Sequence, residues 1–273
     1  MYQTGLRGNS ALITGGASGI GQSIAVGLAR EGVRLFLADL RPADETLGMI
    51  RQAGGQATAM TVDLRDEKEI EQMVAKAVAE LGQLDIFVNV AAKFVAEPVT
   101  GVSLDVWSDI MATNLTACVL SSREIGRHMI SRRRGAILIV GSTVVGSPSY
   151  GGAAYRASKT ALRSYMETLA IELAPFGIRV NMMTPGPFPT RLVDGLPDDQ
   201  RSAAAREVPL AQREGHLPEV RGAALFLLSD ELASYVTGSE VFVDGGLHLR
   251  PLYIGPPEVV RALNSSRTTE SND

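Results

Sequence analysis

Short apolar runs alternate with longer amphipathic stretches along most of the chain. The runs ALIT (11–14), RLFLAD (34–39), ATAMTVD (57–63), LDIFVNV (84–90), GAILIVG (135–141), IRVNMM (178–183) and EVFVDG (240–245) predict strands. Most are apolar without strict alternation, the pattern of strands covered on both faces. Between them, residues 19–31, 43–53, 66–82, about 103–131, 152–175 and 218–229 have helical length and spacing. This order builds βαβ units, so the predicted class is α/β: a doubly wound parallel sheet of about seven strands with helices on both faces. Right-handed crossovers then gather ligands at the carboxyl ends of the strands.

No internal repeat or linker divides the 273 residues, which read as one domain with a core from about 6 to 248. Residues 184–217 break the rhythm with a long proline-punctuated insertion, expected to be a loop acting as a substrate lid. Residues 249–273 form a C-terminal extension, polar from Asn264 onward and expected to be disordered.

Composition narrows the function classes. The chain is 45% hydrophobic and 21% charged, an ordinary globular balance, with a net charge of −4 and no long basic block. That argues against a nucleic-acid partner. The run Arg132–Arg134 reads as a solvated loop. The single cysteine, Cys118, rules out an internal disulfide framework, suits a reducing compartment and is read as a core residue. His128, His216 and His248 lack metal-ligand spacing, so no metal is expected. Neither a signal peptide nor an apolar run of membrane-spanning length is evident, which predicts a soluble, cytoplasmic protein with no membrane partner.

Candidate chemistry begins after the first strand with TGGASGIG, residues 14–21, where Gly15, Gly19 and Gly21 precede an apolar helix. Glycine lets the backbone turn sharply and approach a pyrophosphate, which the helix N-terminus then meets. Asp39 ends the second strand, where a carboxylate can accept from both adenosine ribose hydroxyls and repel a 2′-phosphate. The expected cofactor is therefore NAD rather than NADP, although Arg41 follows two residues later.

AAYRASKTAL, residues 153–162, places Tyr155 one helical turn before Lys159. Such pairs are common on ordinary helices, and the pair alone does not identify a proton-transfer device.

The ordered set of motifs resembles the short-chain dehydrogenase/reductase family, single-domain branch, over about residues 6 to 248. The glycine spacing, VDL at 62–64, NVAA at 89–92, TNL at 113–115, GS at 141–142, YRASK at 155–159, PGPFPT at 185–190 and TGSEVFVDGG at 237–246 carry the resemblance. Val90 and Ala92 depart from the family's usual Asn-Asn-Ala-Gly, and Phe188 stands where valine or isoleucine is usual.

The resemblance implies a Rossmann-type fold and a catalytic set of Asn114, Ser142, Tyr155 and Lys159. Tyr155 would be the general acid or base, its pKa lowered by Lys159, with Ser142 beside it on the substrate oxygen. Asn114 would act through its main-chain carbonyl. For the cofactor it implies Gly15, Ser18, Gly19, Ile20 and Gly21 at the pyrophosphate, and Asp39 at the ribose. Asp63, Leu64, Asn89 and Ala91 would lie around adenosine. Tyr155 and Lys159 would meet the nicotinamide ribose, and Pro185, Gly186, Phe188 and Thr190 the carboxamide. Substrate walls would include Phe94, Val144, Pro187, Phe188 and Leu192, together with Ser142 and Tyr155. They are mostly apolar, which points to a modest hydrophobic alcohol or ketone.

Relatives of this kind are mostly homotetramers or homodimers. Here the long helices and the last strand would form the interface, with Ala157, Ala161 and Ala170 permitting close packing. The alternative reading is a catalytically silent dinucleotide-binding sensor or scaffold.

Overall fold

A parallel strand needs a crossover to return to the same edge of a sheet, and each predicted helix of the core provides one. The computed structural model describes residues 3–249 except 147, 195–197 and 211. The C-terminal extension beyond 249, with its polar stretch from Asn264, lies outside the described residues. Seven parallel strands form one sheet in the order β3-β2-β1-β4-β5-β6-β7. They are β1 (Ser10–Thr14), β2 (Arg34–Asp39), β3 (Gln56–Thr61), β4 (Ile86–Asn89), β5 (Gly135–Val140), β6 (Ile178–Pro185) and β7 (Glu240–Val243). The direction of winding reverses between β1 and β4, which opens a crevice at their carboxyl ends.

The helices are α1 (Gly19–Arg30), α2 (Asp44–Gln52), α3 (Glu67–Leu81), α4 (Leu104–Met111), α5 (Ala117–Arg132), α6 (Ala153–Leu173), α7 (Asp198–Arg206) and α8 (Val220–Leu228). Local signals fix several ends. Asp66 accepts from the Lys68 and Glu69 N–H groups at the start of α3, and Gly82 closes it in the left-handed conformation (φ 78°). Ser103 caps α4 through the Val106 N–H.

Strand periodicity divides the core between two faces. Leu12 aligns with Phe36 and Phe87, and all three pack with Ile70, Ile125, Leu162 and Met166 of α3, α5 and α6. One residue on, Ile13 aligns with Leu37 and Val88 and packs with Ile24, Leu28, Val220 and Leu227 of α1 and α8. Each such buried side chain contributes about 1.5–3 kcal/mol of transfer free energy. Because both faces are covered, the central strands read as continuous apolar runs.

Three expectations change. The insertion is not wholly loop: its first two residues finish β6, and it carries the nine-residue helix α7. Its sequence, DDQRSAAAR, has no apolar stripe, so periodicity does not announce it. The arginine run is not a freely solvated loop either. Arg132 ends α5 and pairs with the buried Asp85 (2.9 Å). Arg133 donates to the Pro175 carbonyl (2.9 Å), and Arg134 pairs with Asp230 (3.1 Å). Finally, Ala170 is not available to a neighbour, being buried in the chain's own core beside Leu169.

Candidate active site

The crevice begins at the glycine loop. Gly15 has φ +72°, and a Cβ there would lie 2.7 Å from the Ala91 amide nitrogen, so only glycine lets β1 pass this close to the chain after β4. A Cβ on Gly21 would collide with the Gly15 carbonyl oxygen. Ser18 makes no side-chain capping bond, and no acidic residue stands in the first turn of α1. The first amides of α1 are therefore left to an anion, and these residues fit the pyrophosphate of a dinucleotide. Ile20 packs at the edge of the α1-side core.

Asp39 ends β2 facing this loop. Its Oδ2 accepts from the Ala17 N–H (3.0 Å) and its Oδ1 from the Arg41 N–H (3.1 Å). A carboxylate has about four acceptor sites, so each oxygen keeps capacity for a hydroxyl. Behind the loop, Asn89 is buried and accepts from the Thr14 hydroxyl (3.3 Å), while Ala91 packs on the core beside it. Leu64 is buried in the core on the α3 side. Asp63 is engaged by Arg65 at 2.6 Å.

Asn114 sits in a five-residue π turn, Ala112–Thr116, between α4 and α5. The sequence predicts one uninterrupted helix here; instead the Ala117 N–H reaches back five residues to the Ala112 carbonyl. The Asn114 side chain is fully buried. Its Oδ1 accepts from the Lys93 N–H (2.7 Å), and its Nδ2 donates to the Lys93 carbonyl (3.0 Å) and to the Ser158 hydroxyl (3.0 Å). It thus clamps the chain after β4 onto α6.

Ser142 follows β5 and begins a short 3-10 turn, Thr143–Val145, in which Val144 is half-buried. Tyr155 lies in the first turn of α6, 8% exposed. Burial pushes its phenol up to about 12, partly opposed by the polar Ser142 side chain. The Phe94 ring meets the Tyr155 ring edge-on, with centroids 5.4 Å apart at 87°.

Lys159 is 1% exposed and donates from Nζ to the Val140 carbonyl (2.9 Å), with Nζ 5.8 Å from the Tyr155 ring centroid. Burial lowers its pKa to about 8, slightly offset by Cys118. The expectation that Lys159 lowers the Tyr155 pKa is therefore not met within the protein alone: desolvation dominates, and the ammonium is spent on a carbonyl. Cys118 is buried, as expected, and its thiol is pushed up to about 12.

Beyond β6, Pro185 ends the strand and the Gly186 N–H donates to the Val243 carbonyl (3.0 Å). A Cβ on Gly19 would lie 3.1 Å from Thr190 Cγ2, so the insertion returns to the glycine loop. Leu192 is half-buried in the turn Arg191–Val193. Phe188 departs from its expected place in the substrate wall. Its ring is buried in the core on the α1 and α8 side and lies against Gly215. With Pro187 it lines a cavity of about 550 Å³ beside Val208, Leu210 and Phe242, which none of Ser142, Tyr155 and Lys159 reaches.

Several residues that serve the site carried no signal of their own. Thr14, Ala17 and Ser158 are visible only through their partners. Ser158 sits inside YRASK as a polar residue on the buried face of α6, and it donates to the Tyr155 carbonyl (2.7 Å). Among the described residues no cluster of His, Cys, Asp or Glu could hold a metal ion, and no helix is long and apolar enough to cross a membrane.

Comparison with known proteins matches most of the chain. A family model described as enoyl-(acyl carrier protein) reductase matches residues 15–248. Cyclopentanol dehydrogenase of Comamonas sp. (strain NCIMB 9872) is 38% identical over 240 residues, covering 86% of this chain and 95% of that protein. The 3-oxoacyl-(acyl-carrier-protein) reductase of Escherichia coli (strain K12) is 35% identical over 243 residues, covering 89% and 98%. The solved structure of a dehydrogenase/reductase from Sinorhizobium meliloti 1021 superposes with a TM-score of 0.83 at 32% identity, covering 90% and 98%.

Proposed function

The chain belongs to the short-chain dehydrogenase/reductase family, oxidoreductases that bind a nicotinamide dinucleotide and act on CH–OH groups, and from this premise we propose that it is an NAD-preferring dehydrogenase interconverting a small hydrophobic secondary alcohol and its ketone. The observation that carries the reading is the buried Tyr155 side chain, met edge-on by the Phe94 ring at the carboxyl end of the sheet, where Ser142 follows β5.

When bound, the nicotinamide ring supplies the hydride acceptor or donor. The chain's own residues handle the proton and the geometry. At neutral pH the Tyr155 phenol keeps its proton, the form that donates to a ketone oxygen during reduction. In oxidation the same oxygen accepts the alcohol proton only after the phenol has given up its own proton to solvent, so that direction is favoured as pH rises. Lys159, with a pKa near 8, is mostly cationic at pH 7 and sets a positive charge 5.8 Å from the Tyr155 ring centroid. Ser142 orients the reacting oxygen and stabilises charge developing on it. Phe94 walls the phenol from water and gives the substrate an apolar surface.

Asp39 supports NAD, because a carboxylate at the ribose repels a 2′-phosphate and both its oxygens retain acceptor capacity. The cyclopentanol dehydrogenase relative supports an alicyclic substrate of similar size. We also assign the insertion the role of lid, since Thr190 brings it against Gly19. A homotetramer or homodimer remains the assembly that the family leads us to expect.

The test is NADH absorbance with a panel of secondary alcohols including cyclopentanol, comparing wild type with Tyr155→Phe. Wild type turns over at least one alicyclic alcohol, and Tyr155→Phe is slower by at least about 100-fold. Equal rates in the two proteins would sink the mechanism. NAD binding without turnover across the panel would favour the silent reading.

A further inference from the structure

Ser142 follows β5 on a turn that has little of its own to hold it. Two main-chain bonds form the turn Thr143–Val145. The Val145 N–H donates to the Ser142 carbonyl (3.2 Å), and the Gly146 N–H donates to the Thr143 carbonyl (3.1 Å). Bonds of this 3-10 type are poorly aligned, and one turn of them is weak. The chain then runs out to Pro148, Ser149 and Tyr150, all exposed. Yet this turn decides where the Ser142 hydroxyl points. Ser142 Oγ accepts from the Val144 N–H (3.3 Å). A hydroxyl has one proton and two lone pairs. With one lone pair on Val144, the proton and the second lone pair are left for a reacting oxygen. The same contact selects one of the three staggered positions of Oγ. If the turn loosens, the Val144 N–H withdraws and Oγ swings among them.

The tie comes from α6. Arg156, the residue after Tyr155, is half-buried, and its Nε and Nη2 both donate to the Val145 carbonyl, at 3.3 and 3.0 Å. The contact spans 11 residues and joins the helix that carries Tyr155 to the turn that carries Ser142. Hydrogen bonds from an ionised donor are about twice as strong as neutral ones. A guanidinium also presents its donors in one rigid plane, so it fixes the carbonyl in direction as well as distance. A lysine ammonium at the same place supplies the charge without the plane.

We propose that Arg156 is a positioning residue: by holding the Val145 carbonyl it fixes the turn Thr143–Val145, and through the Val144 N–H it aims the Ser142 hydroxyl at the reacting oxygen. This rests on the dehydrogenase reading above and deepens it. Arg156 touches neither substrate nor the reacting atoms. Its effect passes through Ser142 and is bounded by what Ser142 itself contributes. Without Arg156 the turn opens more often, and Ser142 spends part of its time in orientations that do not meet the substrate oxygen.

Two measurements on the full-length protein test this. The first needs no substrate: amide hydrogen exchange read by mass spectrometry in wild type and Arg156→Met. Peptides covering residues 142–146 exchange about 10-fold faster in the variant, the worth of one hydrogen bond to a charged group, while those covering β5 do not change. Equal exchange of the turn in the two proteins overturns the proposal. The second is a double-mutant cycle on kcat with an alcohol that wild type oxidises. Arg156→Met lowers kcat by about 10-fold and leaves the KM for NAD unchanged. In the Ser142→Ala background the same substitution has little further effect, because the hydroxyl it aims is gone. Arg156→Lys falls between the two in both measurements, and it carries both comparisons if Arg156→Met fails to fold. A loss that persists in full in the Ser142→Ala background overturns the proposal, since a residue that only supports the fold acts in either background. Full activity in both Tyr155→Phe and Ser142→Ala overturns the dehydrogenase mechanism instead.

Discussion

The Phe94 ring stands perpendicular to the Tyr155 ring, 5.4 Å between centroids, so an apolar side chain from the loop after β4 buttresses the one phenol at the centre of the site. Nothing between them in sequence requires this; the crevice brings the loop after β4 against the first turn of α6. Such a pair is worth about 0.5–1.5 kcal/mol beyond its buried area.

Phe94→Ala is therefore expected to lower kcat/KM for a small alicyclic alcohol by roughly 3- to 10-fold, the fold-change that this energy represents. Bulkier secondary alcohols lose less or gain. Steady-state kinetics on alcohols of graded size checks this. An equal loss across all sizes would mean that Phe94 only supports the fold.

Lys159 and Tyr155 make opposite contributions to stability against pH in the protein without cofactor. Burial lowers Lys159 from 10.5 to about 8, so the unfolded chain binds the proton more tightly and stability rises with pH between those values. Burial raises Tyr155 from 10.0 to about 12, so its contribution is complete below pH 10 and is lost as pH approaches 12. Lys159→Met is expected to abolish the rise from pH 8 to 10.5, on the order of 3 kcal/mol, and to leave the later fall. Urea denaturation at pH 7.5, 9 and 10 measures it. A rise that persists in the variant would contradict the buried-ammonium assignment.

Gly21→Ala sets a methyl group against the Gly15 carbonyl oxygen, whereas Gly48→Ala on α2 meets nothing within 4 Å. The first is expected to cost about 1–3 kcal/mol and to weaken dinucleotide binding sharply. The second should stabilise by about 0.5–1 kcal/mol, since alanine favours a helix over glycine, and should leave binding alone. Thermal melts with and without NAD separate the two.

Asp39→Ala removes the acceptor for the Ala17 and Arg41 N–H groups along with the charge that repels a 2′-phosphate. The ratio of kcat/KM for NAD to that for NADP is expected to fall by roughly 100-fold, the worth of one to two hydrogen bonds to a charged group. Initial rates with both cofactors decide it. An unchanged ratio would remove Asp39 from the specificity determinants.

Much of the architecture follows from local signals. Apolar runs mark β1, β2, β4, β5 and β6 because both faces of the sheet are covered there, and the glycine spacing marks the first turn because a Cβ at Gly15 or Gly21 would strike backbone. The motif order sets Ser142 just after β5 and Tyr155 in the first turn of α6. Helix α7 escaped because a polar surface helix leaves no periodic trace.

By itself the sequence determined the order of the core strands and helices, the parallel class and the position of the glycine loop, while Tyr155 and Lys159 were singled out by the resemblance of the motif order to a known family. The core elements depend on neighbours within a turn or two, and periodicity reports them directly. Only the tertiary structure decided what those groups face. It gave the Lys159 ammonium to the Val140 carbonyl, buried the Phe188 ring away from Tyr155, broke the helix at Asn114 into a π turn and joined Arg65 to Asp109 across 44 residues. Burial and long-range hydrogen bonding depend on which surfaces meet after the chain has folded, and no spacing along the chain encodes them.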